Sequence, residues 1–72
     1  MLLAECKNGA RGRVAGFFGK EHTTAFYESR GITAGTGFTV VKKYGSYFVV
    51  RFGDVVFGMD VRTAMEIRVI RE

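Results

Sequence analysis

The segment Gly31-Ile32-Thr33-Ala34-Gly35-Thr36 constrains this chain more than any other. A glycine directly after a helical stretch supplies the left-handed C′ position that residues carrying a Cβ resist. The second glycine, four residues on, makes a tight entry into Phe38-Thr39-Val40-Val41, a run with strand composition. Ile32, apolar between the two, is expected to be buried. One short helix therefore feeds directly into a sheet, and the turn marks architecture rather than chemistry.

The rest of the chain is punctuated in the same way. It has ten glycines and no proline, and no linker, repeat or low-complexity tract. Between the glycines lie short segments rich in β-branched and aromatic residues: Gly12–Phe17, Phe38–Lys42, Tyr47–Phe52, Val55–Phe57 and Ile67–Ile70. Such segments at such spacing read as strands. Phe52-Gly53-Asp54-Val55 is a hairpin signal, and Lys43-Tyr44-Gly45-Ser46 a second reversal. The connections are too short for helical crossovers, so the sheet is expected to be antiparallel. Alternation in Tyr47–Phe52 sends Phe48, Val50 and Phe52 to the core, and Tyr47, Val49 and Arg51 to the opposite face.

One helix is expected over about Thr23 to Arg30, with Thr23 or Thr24 as its N-cap, Gly31 closing it, and Phe26 and Tyr27 as its main anchors with Ala25 beside them. Asp60 is placed to cap a shorter helical turn by accepting from the amides of Arg62 and Thr63, with Ala64 packing inward before Ile67 opens the last strand. A single flat sheet at this length would leave a face and two edges exposed. Curling hides the apolar face and shortens the edges. The expectation is a mainly β domain over residues 1–72: a small, SH3-like, partly open antiparallel barrel of about five strands, with one short helix and a helical turn before the last strand.

Seventy-two residues make one small domain near the lower limit for a self-sufficient core. Eleven Lys and Arg against seven Asp and Glu give a net charge of +4. The basic residues are spread along the chain without a long run, and the charge has two readings: a solvated surface, for which solubility alone accounts, and, less favoured, a phosphate-binding face. Cys6 is the only cysteine, which excludes an intrachain disulfide; a small buried thiol is its default. No signal-peptide pattern and no membrane-length apolar run is visible, and the expected compartment is the cytoplasm.

The order of elements resembles a known family. Leu3-Ala4-Glu5-Cys6-Lys7-Asn8-Gly9 followed by Gly12-Arg13-Val14 is similar to the opening L-x-[DE]-L-x-x-G-x-x-G-x-V of ferrous iron transport protein A (FeoA). Tyr27-Glu28-Ser29-Arg30-Gly31-Ile32-Thr33-Ala34-Gly35-Thr36 resembles its L-x-x-L-G-[IFL]-x-P-G-x. Val40-Val41, Tyr47–Phe52, and Met59 with Ala64 and Ile67-Arg68-Val69 follow in the family's order and spacing. Arg30 stands where an apolar residue is usual, Ala34 where proline is, Cys6 where leucine is, and Asn8 where proline is common. Arg30 would have to hold its head in water while its stem covers the core. The resemblance implies a small cytosolic accessory protein of ferrous iron uptake, acting by docking to the FeoB permease. The same SH3-like module is also the C-terminal domain of iron-dependent repressors of the diphtheria toxin repressor type.

The residues themselves offer no catalytic constellation, so no enzyme, cofactor or small-molecule substrate is expected. His22 is the only histidine, and Glu21, His22 and Glu28 lack the spacing of a metal site, so no metal ligand is assigned; iron enters through the family name only. Gly16-Phe17-Phe18-Gly19-Lys20-Glu21 fails as a phosphate loop, because Val14 stands where its first glycine belongs and Glu21 where Ser or Thr does. Gly35-Thr36-Gly37 fails as a dinucleotide fingerprint. Phe17 and Phe18 are adjacent, so one should be buried and the other at least partly exposed. Phe17, Phe18, Tyr44 and Tyr47 are the candidate partner-binding residues, an aromatic platform of the kind SH3-type grooves use. The rival reading is a nucleic-acid-binding small barrel, resting on Lys42, Lys43, Arg51 and the nearby tyrosines; nucleic acid is the less favoured partner. Nothing in the residues specifies an oligomeric state.

Overall fold

The computed structural model describes residues 1–19 and 21–72. Lys20 lies outside them. After a 3₁₀ turn at Leu3–Glu5 the order is β1 (Arg11–Phe17), α1 (Glu21–Glu28), β2 (Gly37–Tyr44), β3 (Tyr47–Phe52), β4 (Val55–Asp60), α2 (Val61–Ala64) and β5 (Ile67–Arg71). All pairings are antiparallel and the strand order is β4-β3-β2-β1-β5. The sheet curls without closing. Two irregularities in register help it bend, one between Val14 and Gly16 against β5, the other between Val40 and Lys42 against β3. This is the expected mainly β, partly open SH3-like architecture.

The Gly31–Thr36 segment does what its glycines suggested. The Ile32 amide donates to the Tyr27 carbonyl at 3.0 Å and the Gly31 amide to that of Glu28 at 3.0 Å. These are the two bonds of a Schellman motif, with Gly31 at C′ and φ +80°. Its apolar contact is the buried pair Ile32 and Tyr27. A β-turn follows: the Thr36 amide donates to the Thr33 carbonyl, the Thr33 amide to Thr36 Oγ1, and Gly35 has φ +95°. The turn is then fastened to β1, by Gly35 N to Val14 O and Val14 N to Thr36 O, both 2.7 Å.

The helix begins at Glu21, two residues earlier than expected, so Thr23 and Thr24 lie inside it and neither is its cap. Its anchoring also differs. Tyr27 is buried, whereas Ala25 is exposed and Phe26 is 44% exposed. Successive helical residues lie about 100° apart, so two adjacent aromatics cannot both face the core. Arg30 lays its guanidinium 3.7 Å above the Phe26 ring and donates to the Phe26 carbonyl at 2.8 Å. It covers that ring from the solvent side.

The core is built as alternation requires. Phe48, Val50 and Phe52 of β3 are buried, with Val40, Val14, Ile67 and Val69 from the neighbouring strands. Cys6 is buried among them, and that burial pushes its thiol pKa up. Asp60 caps α2, accepting from the Thr63 amide at 3.0 Å, and Ala64 is buried.

Candidate functional site

The two edges of the open sheet are treated differently. The N-terminal segment covers β5: Leu2 forms a bridge with Arg68, and Val69 N donates to Met1 O at 2.8 Å. The edge of β4 pairs with nothing among the described residues. The two-residue turn Gly53-Asp54 makes Phe52 and Val55 a hydrogen-bonded pair, so the backbone groups of Val56 and Gly58 point outward along that edge.

A groove of about 660 Å³ lies between this edge and α1. His22, Thr23, Phe26 and Tyr27 form one wall, and Tyr47 with Phe57–Asp60 and Thr63 forms the other. Its floor is aromatic. Phe57 meets Tyr27 edge-on at 5.4 Å and Phe26 at 6.1 Å, and Phe52 lies beneath at 6.0 Å from Phe57. Edge-to-face rings are a preferred aromatic geometry, worth about 0.5–1.5 kcal/mol per pair beyond their buried area. Tyr47 reaches across Gly58: a methyl added there would run into the Tyr47 hydroxyl and lie 2.8 Å from its Cζ. Gly58 therefore keeps the groove open while the tyrosine covers bare backbone.

Electrostatically the groove is mild. The Thr63 backbone amide holds the Asp60 carboxyl below its ordinary value, and burial pushes the Tyr27 hydroxyl above its own. Among the described residues no three His, Cys, Asp or Glu side chains gather as a metal site. The groove can grip an extended segment through backbone hydrogen bonds and an apolar side chain.

The four candidate aromatics do not form one platform. Phe17 is half-buried and stacks on Tyr27 at 5.7 Å, behind the groove wall. Phe18 is 46% exposed and faces away, under the Arg68 guanidinium at 5.5 Å. Tyr44, 60% exposed, sits at the β2–β3 turn with Lys42 Nζ 5.7 Å from its ring. Only Tyr47 lines the groove. Phe26 and Phe57 were not among the sequence candidates for binding. The signal for them is Gly58 between Phe57 and Met59, a gap in an otherwise bulky strand. Of the residues behind the nucleic-acid reading, Lys42 and Arg51 share the outer face, while Lys43 turns inward over the Phe48 ring at 5.0 Å.

The FeoA domain model matches residues 1–71. The chain belongs to the FeoA domain family. Solved structures agree on the fold. A crystal structure described as iron uptake regulatory protein (FeoA) superposes with a TM-score of 0.88 at 22% identity, covering 100% of this chain and 97% of that one. The FeoA protein of Chlorobium tepidum gives 0.85 at 21% identity, with 96% and 68% covered. A manganese-dependent transcriptional repressor gives 0.85 at 19%, this chain corresponding to 41% of it. No curated protein sequence matches. Among the described residues no helix of this FeoA domain is long and apolar enough to cross a membrane.

Proposed function

We propose that this FeoA-family chain is a small cytoplasmic accessory protein of ferrous iron uptake that docks to a FeoB-type permease, its groove receiving an extended segment of that partner. The observation that carries the reading is the pairing of an uncovered strand edge with an aromatic groove, in a family whose structural relative is described as an iron uptake regulatory protein. Strand addition supplies affinity from the outward backbone groups of Val56 and Gly58, and the ring cluster of Phe26, Tyr27 and Phe57 supplies a seat for one apolar side chain. Docking of this kind changes the partner through differential affinity for its states, with no chemistry from the docked module. The candidate residue Tyr47 belongs to this surface; Phe17 supports it from behind.

The test is retention of detergent-solubilised permease, and separately of its soluble domains, on the immobilised chain. Retention of either is expected, and retention of neither overturns the reading. The fold shared with part of a manganese-dependent repressor favours a second reading, a regulatory domain of a metal-dependent repressor. An open reading frame that places a helix-turn-helix segment ahead of Met1 would select it.

A further inference from the structure

The basic residues are scattered in sequence, but strand register gathers several of them. Arg11, Thr39, Arg51 and Val56 form one continuous cross-strand row through β1, β2, β3 and β4. Paired residues in a sheet share a face, and the buried neighbours Gly12, Phe38, Val50 and Phe52 show that this row points outward. Arg11, Thr39 and Arg51 line one shallow depression of about 210 Å³. The two arginines sit on either side of the middle strand, about 10 Å apart at the backbone. Arg13 follows on β1 two residues from Arg11, and Lys42 on β2 beside Val49. All four cations are exposed.

Carboxylates border this face, and Glu72 lines the depression itself beside Arg11 and Arg51. Glu72 pairs with Arg13 at 3.6 Å, and Asp60 turns its oxygen to the Thr63 amide. Apolar groups complete the surface: Val56 is 51% exposed across from Arg51, and Tyr44 and Tyr47 form the pair that closes the β2–β3 hairpin.

We propose that this outer face of β1–β4 is a docking surface for an anionic lipid bilayer. Arginine forks match phosphate oxygens two at a time, and tyrosines with an exposed aliphatic suit the headgroup boundary, where one end of a ring is wet and the other apolar. The tyrosines are poorly placed as base-stacking plates. Lys42 sits by the ring of Tyr44, and Tyr47 lies across the Gly58 backbone. Open ring faces are what single-stranded nucleic acid needs, so the bilayer is the better fit. The proposal is carried by the cationic row; it shares Tyr47 and Val56 with the permease reading but does not require it.

The test is co-sedimentation of the purified full chain with vesicles of phosphatidylcholine containing phosphatidylglycerol, at low and high salt. Binding is expected at low salt, with little to pure phosphatidylcholine. Each basic residue near an anionic surface strengthens partitioning about fivefold, so R11Q/R51Q should lose about 25-fold. R62Q removes a charge from α2, outside the four strands of this face, and should bind as the parent does. Val56→Ser should weaken binding without changing its salt dependence. No binding to anionic vesicles at low salt overturns the proposal. So does an equal loss in R62Q, which would reduce the effect to net charge, and so does salt-sensitive binding of single-stranded RNA with none to vesicles.

Discussion

Gly12 offers a sharp test of how β1 and β5 pack. Its position is not one of unusual backbone conformation but of space. A Cβ built on it collides with the Ile70 carbonyl oxygen, and lies 2.9 Å from Arg71 Cα and 3.0 Å from Glu72 N. All three are backbone atoms of the last strand and its exit, so no side-chain rotation relieves the contact. Overpacking of this kind costs about 1–3 kcal/mol, and the absence of a yielding side chain puts Gly12→Ala in the upper half, about 2–3 kcal/mol. A domain of this length has roughly 4–11 kcal/mol in total. At about 4–8 °C per kcal/mol, the expected fall in melting temperature is roughly 8–24 °C. Gly16, on the same strand, is the control. Nothing lies within 4 Å of a Cβ there, so Gly16→Ala should be neutral or stabilise by up to about 1 kcal/mol through the unfolded chain. Thermal melts followed by circular dichroism compare the two, in the full chain and in one lacking Arg71 and Glu72. The truncation deletes the contacts with Arg71 and Glu72 and leaves Ile70 as the strand's last residue, so the Gly12→Ala penalty should shrink in that background. A Gly12→Ala variant as stable as Gly16→Ala, or a penalty unchanged by the truncation, refutes the packing account.

Three other outcomes follow from the same geometry. Val56→Pro removes an N–H that points out from the β4 edge and spares the β3–β4 ladder, so permease retention should fall while the melting temperature changes little; retention unchanged in this variant refutes strand addition. Tyr27→Ala removes the buried ring that Phe17, Phe26, Phe52 and Phe57 all contact, at about 3–5 kcal/mol, and denaturant titration should show most of the stability gone. Asp60 has its carboxyl held low, first by the Thr63 amide, so its stabilising contribution is complete above the ordinary aspartate range and is lost as pH falls through the lowered value; Asp60→Asn should flatten that acid limb, and an identical pH profile for parent and variant would remove the capping account.

How far the fold could be read depended on whether a feature was fixed by local backbone chemistry. Gly31 and Ile32 stand at the two positions a Schellman motif prescribes, so the helix end was legible. The hairpins at Gly45-Ser46 and Gly53-Asp54, and the alternation of Phe48, Val50 and Phe52, are local in the same sense. The helix start was not. Thr23 and Thr24 carry hydroxyls suited to capping, yet they lie within the helix that starts at Glu21, because a cap preference is local and does not by itself fix where a helix begins. The groove was legible only at Tyr47. Phe26 and Phe57 become a surface through the meeting of α1 with β4, a contact between elements about thirty residues apart that no local pattern encodes.

The charge distribution shows the same division with a functional consequence. Along the chain, Arg11 stands 31 residues before Lys42 and Lys42 nine before Arg51, and the three belong to no basic run. A strand directs alternate residues to one face, and register then sets which of them become neighbours. The Val40–Lys42 irregularity matters here, because one extra residue in β2 decides that Lys42 joins Val49 on the outer face while Lys43 falls inward over Phe48. Without that irregularity the two lysines would exchange faces. A mild net charge can therefore belong either to a uniformly solvated protein or to one with a cationic face, and register, not composition, separates the two cases.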